Sequence, residues 1–233
     1  EKVCRKLEFF SMIHRIPGSH RADSGYSARS ARVNAVERYY ETVETKEDLR
    51  ALVNELTRAT TFSLDTETTS IDPMNAELVG LSFATLPGRA WYIPVGHASG
   101  RQLPIGDVLG SLRLVLEDAN LGKVAHNANF DWTVLANNGI NVKGLAFDTM
   151  LAAHMLGRKS LGLKELALEV LGEPMAPITS IIGFGRNQTT FDAVPIELAA
   201  AYAAADADMT LRLRLPLQRD LESMGSWKLL EEV

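Results

Sequence analysis

Three segments typical of β-strands follow one another between residues 62 and 95. They span 62–67, 78–86 and 91–95, and the turn residues Pro87-Gly88 separate the last two. Short strands divided by turn residues are typical of an antiparallel meander. Downstream, the pattern changes to helices that alternate with short strands. This order predicts an α/β fold in which a mixed β-sheet is flanked by helices.

Apolar spacing and capping residues predict the other elements. Thr45 and Asp48 resemble a capping box ahead of a helical apolar stripe. The final helix is predicted to begin at Pro195 and to run towards Leu215, with a kink or break at Pro216. The other predicted helices span 108–116, 130–138 (closed by Gly139) and 161–171 (ended by Gly172), and one more helix begins at Asp148. Short strands are predicted at 123–126 and 145–147. A long loop is predicted at 173–194.

The composition limits the classes of protein that the chain can belong to. With 24 Lys plus Arg against 29 Asp plus Glu, the formal net charge of −5 excludes a protein that holds nucleic acid by bulk positive charge alone. No apolar run reaches the roughly 20 residues of a membrane helix, and no secretory signal leads the chain, so we expect no membrane partner. The single cysteine, Cys4, cannot form an internal disulfide, which favours a cytoplasmic location.

The chain divides into three segments of different character. Residues 1–42 form a predicted appendage, with a short amphipathic helix at 6–13 and a linker rich in Ser, Gly, Arg and Ala at 17–32. The compact domain spans 43–222, and 223–233 form a short tail. Because the chain starts without Met and stops inside a predicted helix, we expect a piece of a longer polypeptide, although processing would also explain the missing Met.

The tripeptide Asp65-Thr66-Glu67 is the strongest chemical signal. Successive strand side chains alternate, so Asp65 and Glu67 point the same way. Phe62 and Leu64 precede them in a strand whose apolar side chains indicate burial. Two carboxylates at the end of a buried strand repel each other and lose hydration, so they need a cation or shift their pKa values. Hard oxygen ligands suit Mg²⁺ or Mn²⁺, whereas the alternative is a strand end that meets solvent.

Two further segments carry acidic residues at informative positions. Tyr202 and Asp206 lie four residues apart on an alanine-rich helix and therefore share a face. The alternative is that Asp206 and Asp208 lie on a solvated side. Asp131 falls in the first turn of the helix that follows His126, where a carboxylate serves either as a cap or in the chemistry of a site.

Other notable residues favour structural roles. A cap is favoured for Asp148, and satisfied structural histidines are favoured for His97 and His154. Gly183-Phe184-Gly185 lacks the spacing of a dinucleotide-binding loop and indicates a turn. The Cys and His spacing does not suggest a structural zinc site.

Taken together, the acidic residues follow the order strand, helix start and late helix. Asp65, Glu67, Asp131 and Asp206, with Tyr202, resemble the proofreading-type 3'–5' exonucleases, which have four acidic residues and a tyrosine. Over residues 43–222 the chain is similar to the 3'–5' exonuclease domain of bacterial DNA polymerase I. The segments that carry this resemblance are 64–68, 78–84, 92–95, 135–140, 147–150 and 202–204.

The resemblance implies a ribonuclease H-like fold and roles for five residues. Asp65, Glu67 and Asp206 would hold the tighter divalent ion. Asp65 would also face a second ion, which Asp131 would reach directly or through water. Tyr202, with Glu67, would orient the attacking water. The two divalent ions would be Mg²⁺ or Mn²⁺, with Zn²⁺ as another option.

The resemblance also implies which residues contact substrate. Asn127, Ile71 and Phe191 match positions that touch the terminal nucleotides, and Thr66 is assigned with them to substrate binding. For Ile71 and Phe191, ordinary core packing is the alternative. A basic residue that relatives carry after the helix begun by Asp148 has no clean match here. Arg158 or Lys159 could substitute for it.

The implied function is hydrolysis of the terminal phosphodiester at the 3' end of DNA, with release of nucleoside 5'-monophosphates, as the proofreading part of a DNA polymerase. The implied partners are DNA 3' ends, preferably single-stranded, and a polymerase domain in the same polypeptide. Residues 1–42 resemble a tether that follows a 5'-nuclease domain, and 223–233 resemble the lead-in to a polymerase domain. Two alternatives stay open: a catalytically silent nucleic-acid-binding module of a polymerase, and an exoribonuclease of the ribonuclease D kind.

Overall fold

The computed structural model describes residues 36–231. The predicted helix at 6–13 and the predicted linker at 17–32 lie outside these residues. Within the described part of the chain, no helix combines the length and the apolar character that crossing a membrane requires.

A mixed sheet of six strands forms the centre, in the order β1-β4-β3-β2-β5-β6. Strands β2, β3 and β4 form the predicted antiparallel meander. Strands β1, β5 and β6 pair in parallel with β4, β2 and β5, respectively. The strands are β1 Tyr39–Thr42, β2 Thr61–Thr68, β3 Leu78–Leu86, β4 Arg89–Pro94, β5 Gly122–Ala125 and β6 Leu145–Asp148.

Helices cover the sheet and connect its strands. They are α1 Lys46–Arg58, α2 Ile105–Leu116, α3 Ala128–Asn137, α4 Thr149–Met155, α5 Leu163–Leu166, α6 Thr179–Ile182, α7 Ile196–Ser223 and α8 Trp227–Glu231. A π-helical turn, Ala167–Leu171, continues α5 to Gly172, where the prediction ends the helix. The predicted loop at 173–194 also contains α6 and two short 3₁₀ turns, Gly185–Asn187 and Phe191–Ala193.

The capping box predicted at the start of α1 is present. The Asp48 backbone N–H donates to Thr45 Oγ1 at 3.1 Å, and the Thr45 backbone N–H donates to Asp48 Oδ2 at 3.1 Å. Each bond satisfies a backbone donor at the point where the chain enters the helix. Leu49, Leu52 and Leu56 then form the buried stripe that packs α1 on the sheet.

The side chains of β2 alternate between the two faces of the sheet. Phe62 and Leu64 point into the core that α1 and α2 cover. Ser63 points to the opposite face, where its hydroxyl donates to the Ala207 carbonyl oxygen of α7 at 2.8 Å. The next residues of that register are Asp65 and Glu67. The alternation therefore turns both carboxylates towards α7.

Helix α7 packs closely on β3 and β4 because alanines line the contact. Ala84 and Ala90 of the strands meet Ala204 and Ala207 of the helix, and all four are buried. The alanine-rich sequence predicts this close approach. It brings the backbone of α7 near enough to the sheet for its polar side chains to reach the end of β2.

The predicted end of the last helix is wrong. Helix α7 continues through Pro216 to Ser223. Proline inside a helix costs about 3 kcal/mol, because it removes one backbone hydrogen bond and crowds the preceding turn. Leu213, Leu217 and Leu221 are fully buried on the same stripe. Burial of a leucine contributes about 1.5–3 kcal/mol, so three of them offset the cost of Pro216.

Candidate active site

Three carboxylates from two elements converge at the end of β2. Asp65 and Glu67 come from the strand, and Asp206 comes from α7. One oxygen of each lies within 4.8 Å of the others, and this group could hold a metal ion. Glu67 and Asp206 are each only 8% exposed. The structure therefore brings together the residues that the sequence assigns to the tighter ion.

Asp131 lies beside this cluster, on the first turn of α3. Its Oδ1 accepts hydrogen bonds from the Thr66 backbone N–H at 3.0 Å and from the Thr66 hydroxyl at 2.6 Å. Thr66 lies between Asp65 and Glu67 in the sequence, so its side chain points away from α7 while theirs point towards α7. Asp131 is only 2% exposed, and its negative charge raises the pKa of Asp65. The fourth predicted acid is therefore near the cluster and is held by Thr66, but it is not among the three acids whose oxygens converge.

The four carboxyl groups share one electrostatic problem, which is burial beside other negative charges. Burial is the first cause that raises the pKa of Asp65 and of Glu67 well above the ordinary values. The second cause is the charge of Asp131 for Asp65 and the charge of Asp206 for Glu67. Burial also raises the pKa of Asp131 to about 7, although the hydrogen bonds from Thr66 oppose it. The site is therefore short of positive charge.

We expect the stability of the protein in EDTA to fall as the pH rises from about 5 to about 8. In this pH interval the raised pKa values keep these carboxyls protonated in the folded chain, whereas the same carboxyls are ionised in the unfolded chain. The folded state then binds more protons, so the free energy of unfolding drops by up to about 1.4 kcal/mol per pH unit for each such carboxyl. The contribution of Asp131 to this loss of stability ends as the pH passes about 7, its pKa in the folded chain.

Urea unfolding in EDTA at several pH values measures this slope. Asp131→Asn should reduce it, because the amide does not titrate. Stability that stays constant or rises over the same interval would contradict the described electrostatics.

Tyr202 lies one helical turn before Asp206 and is half-buried. Burial raises the pKa of its hydroxyl above the ordinary value, and the charges of Asp206, Glu67 and Asp65 raise it further. The phenol therefore keeps its proton at neutral pH. In this state it donates a hydrogen bond and does not act as a base.

Lys164 of α5 is a functional candidate that the sequence analysis missed. Its ammonium donates to both oxygens of Asp206, at 2.5 and 2.7 Å, and lies 4.1 Å from the centre of the Tyr202 ring. Burial raises the pKa of Asp206 above its ordinary value, and the charge of Lys164 opposes this rise. No local signal reveals it, because a lysine between the buried Leu163 and Leu166 is an ordinary helical position.

The two basic residues that the sequence offered as substitutes lie elsewhere. Arg158 donates to Glu169 at 2.8 Å and also pairs with Asp220. Lys159 is exposed. The structure places neither of them at the acidic cluster.

A cavity of about 750 Å³ opens beside the acids and contains all four predicted substrate residues. Ile71 is 96% exposed at its rim, so the core-packing alternative for this residue is wrong. Phe191 is buried and packs in the core, yet it also lines the cavity. Asn127 and Thr66 form part of the wall. Apolar residues that the sequence analysis did not assign also line it, namely Phe130, Ile178 and Ile182.

Asp148 fixes the wall of the cavity from behind. It caps α4 by accepting from the backbone N–H groups of Met150 and Leu151, at 2.8 and 3.1 Å. Its carboxylate also accepts from the N–H groups of Ala128 at 2.8 Å and Asn127 at 3.3 Å, at the start of α3. The predicted capping role is confirmed, and it extends to a second helix. This support holds Asn127 in a left-handed conformation with a φ of 71°.

A buried pair, Tyr92 and His97, packs on the residue that lies opposite Glu67. Gly80 lies opposite Glu67 in the β2–β3 pairing. The Tyr92 ring covers Gly80, and the Tyr92 hydroxyl lies 2.7 Å from His97 Nε2. His97 Nδ1 lies 2.9 Å from the Val194 carbonyl oxygen. The predicted structural role of His97 is therefore confirmed, and its bonds hold Tyr92 in place.

Three further segments that the sequence analysis named have the following surroundings. The structural role favoured for His154 is wrong, because this histidine is exposed in the last turn of α4. Gly183 and Gly185 both have positive φ values, of 76° and 63°, as the predicted turn requires. His126 lies beside Thr149 Oγ1 at 2.8 Å, and burial lowers its pKa to about 4. This histidine is therefore neutral at pH 7.

The fold agrees with that of known structures. Escherichia coli RNase D, described as an exoribonuclease involved in structured RNA processing, matches with a TM-score of 0.63 and 22% identity over 80% of this chain and 46% of that chain. Brucella melitensis NrnC with bound Mg²⁺ matches with a TM-score of 0.59 and 22% identity over 84% of this chain and 87% of that chain. At this identity the likeness concerns the fold, and it confirms the predicted ribonuclease H-like architecture.

Comparisons of sequence identify the family. DNA polymerase I of Chloroflexus aurantiacus is 50% identical over 177 residues, which are 75% of this chain and 19% of the relative. The chain thus spans about a fifth of the length of this curated relative. The family model for the 3'–5' exonuclease matches residues 40–222. Because this match covers more than half of the chain and agrees with the similarity to DNA polymerase I, the chain belongs to the 3'–5' exonuclease family.

Proposed function

We propose that the chain removes nucleotides from the 3' end of DNA by hydrolysing the terminal phosphodiester, which releases nucleoside 5'-monophosphates. The observation that carries this proposal is the convergence of Asp65, Glu67 and Asp206 within 4.8 Å beside an open cavity. The family supplies the reaction, and the similarity to DNA polymerase I favours DNA as the substrate.

The acidic residues fit a pair of divalent cations. Carboxylate oxygens are the ligands that Mg²⁺ and Mn²⁺ prefer, and Zn²⁺ accepts them as well. Asp65, Glu67 and Asp206 would hold one ion, and Asp65 with Asp131 would face the second. Burial raises the pKa values of these acids, and this supports the binding of positive charge at the site. The NrnC structure of the same fold has bound Mg²⁺, which supports Mg²⁺ as a candidate ion.

The remaining chemistry comes from the side chains. When bound, the two ions would stabilise negative charge on the attacking and leaving oxygens. Tyr202 keeps its proton and would donate a hydrogen bond to the attacking water, while Glu67 would accept one from it. Together they would aim the water at the terminal phosphorus atom, opposite the bond that breaks. The strand would leave with a free 3' hydroxyl.

The cavity accounts for the binding of strand ends. Its exposed Ile71 and half-buried Phe130 offer surfaces on which unpaired bases can stack, whereas Phe191 lines the cavity from the core. Thr66 and Asn127 would supply polar contacts to the terminal nucleotides. Bases must separate from a paired strand to reach these groups, so we expect single-stranded or frayed ends to be preferred. The net charge of −5 predicts weak, salt-sensitive binding by the isolated chain.

The proposal extends to the longer protein. We infer that residues 43–222, together with strand β1 ahead of them, are the exonuclease domain, that the residues before β1 follow a 5'-nuclease domain, and that 223–233 lead into a polymerase domain of the same polypeptide. The similarity to one fifth of a DNA polymerase I supports this organisation. Proofreading during DNA synthesis in the cytoplasm is the role that such an arrangement would serve.

A digestion assay with matched substrates tests the function. We expect 5'-labelled DNA oligonucleotides to shorten stepwise from the 3' end in Mg²⁺ or Mn²⁺, with unpaired ends digested faster and with no digestion in EDTA. Faster digestion of RNA of the same sequence would favour the ribonuclease D kind of activity, with which the chain shares its fold. DNA binding without digestion in either metal would favour a silent module.

A further inference from the structure

Lys164 occupies a position that the proposed chemistry does not use. It lies 42 residues before Asp206 in the chain, yet its ammonium bonds to both oxygens of that carboxylate. Its side chain is 23% exposed, so it lies at the boundary between the acids and solvent. Among the described residues, this lysine is the cation whose ion pair reaches the acidic cluster.

The ammonium and a divalent ion compete for the same oxygens. Lys164 takes both oxygens of Asp206, and one of them belongs to the group that could hold an ion. An ion bound there would also repel the ammonium, since like charges a few ångströms apart repel by several kcal/mol in a partly buried site. Either the lysine or the divalent ion can therefore be fully bound to Asp206, but not both.

The released ammonium has the freedom to move and needs a new partner. Lysine carries its charge on a flexible four-carbon stem with three donors, and it binds phosphate as a point charge. The face of Tyr202, 4.1 Å away, holds the ammonium near the proposed position of the attacking water. A phosphate of a strand end bound at the acidic cluster would replace Asp206 as the anionic partner of the displaced lysine.

We propose that Lys164 and a divalent cation alternate on Asp206, and that the displaced ammonium binds a phosphate of the substrate strand. The proposal rests on the proposed function, because it needs both ion and strand at this site. It makes Lys164 a residue that weakens the binding of the ion alone and strengthens the binding of the strand.

Titration calorimetry with Mn²⁺ alone tests the first half on the whole 233-residue chain. Lys164→Met should bind Mn²⁺ about tenfold more tightly than the unmodified chain, because the ion no longer displaces an ion pair. Lys159→Met is the matched control, since it removes the same charge from an exposed position away from the acids, and it should leave the affinity unchanged. Lys164→Gln, which keeps a polar end, serves as the second variant, and thermal melts verify that each variant is folded.

Fluorescence anisotropy with a 5'-labelled oligothymidylate in Ca²⁺ tests the second half. Lys164→Met should bind the strand more weakly, and the slope of log affinity against log salt should decrease by about 0.7, the loss of one phosphate contact on a single strand. The control variant should keep the slope. A structural role for Lys164 would not change this slope.

The outcomes separate the two proposals. Equal or weaker Mn²⁺ binding by both Lys164 variants, in a chain that still binds Mn²⁺ and digests DNA, overturns the alternation and leaves the proposed function intact. If the Lys164 variants bind Mn²⁺ more tightly but the salt dependence of their strand binding is unchanged, the proposed contact between Lys164 and phosphate is overturned. If the unmodified chain binds no Mn²⁺ and digests no DNA, the proposed function fails, and this inference fails with it.

Discussion

Replacing Asp65 and Glu67 together with Ala should abolish 3'–5' digestion without unfolding the chain. The change removes two of the three carboxylates that converge within 4.8 Å, so neither ion keeps a complete set of ligands. Loss of a residue that only supports a metal ligand already costs about 10–100-fold, so we expect a loss well above about a hundredfold here. Stepwise shortening of a 5'-labelled oligonucleotide in Mg²⁺ and in Mn²⁺ measures the rate.

The same variant should be at least as stable as the unmodified chain in EDTA. Burial raises the pKa of both acids, so their ionised forms destabilise the folded state, and Ala removes that repulsion. Mn²⁺ should raise the melting temperature of the unmodified chain but not that of the variant. This contrast separates loss of the site from loss of the fold.

A double variant with the same change in net charge is the control. Glu77→Ala with Glu197→Ala removes two exposed carboxylates, and it should digest DNA at the unmodified rate. Digestion at that rate by the Asp65 and Glu67 variant would show that the assigned site is wrong.

Gly80→Ala should destabilise the domain by about 3 kcal/mol, an effect at the upper end of overpacking in a core. A Cβ at this position would lie 2.1 Å from the Tyr92 hydroxyl oxygen and 2.3 Å from the Tyr92 Cζ atom. Tyr92 cannot move away easily, because it is fully buried and its hydroxyl is bound to His97. Urea unfolding measures the loss, and activity should fall as well, since Glu67 lies opposite Gly80.

Gly110→Ala is the matched control for this substitution. Gly110 lies on the exposed side of α2, and a Cβ there meets nothing within 4 Å. Alanine is the better helix former by about 1 kcal/mol, so this variant should be more stable than the unmodified chain. Equal stability of the two variants would show that Tyr92 does not press on Gly80.

Local patterns were enough to predict much of the fold and part of the site. The alternation of β2 placed Asp65 and Glu67 on one face, and helical spacing placed Tyr202 and Asp206 on another. Asp148 was predicted as a cap because a carboxylate at a helix start satisfies orphan N–H groups. These predictions depend on neighbours within a few residues, which a single sequence shows.

Contacts between distant segments were not predictable in the same way. Strand β1 has only four residues, alternately exposed and half-buried, and it exists because it pairs with β4. Helix α7 passes Pro216 because buried leucines beyond it pack on other elements. Lys164 reaches Asp206 only after α5 and α7 are placed side by side. In each case the deciding free energy comes from tertiary packing, which is absent from local sequence patterns.

The carboxylate of Asp148 has a mechanical consequence for the cavity. It joins the first turns of α3 and α4 through four backbone hydrogen bonds. If a strand end binds at Asn127 as proposed, both helices would support this part of the cavity wall together. Truncating Asp148 would let the starts of the two helices separate. The cavity wall would then be more mobile, although every acid of the cluster would still be in place.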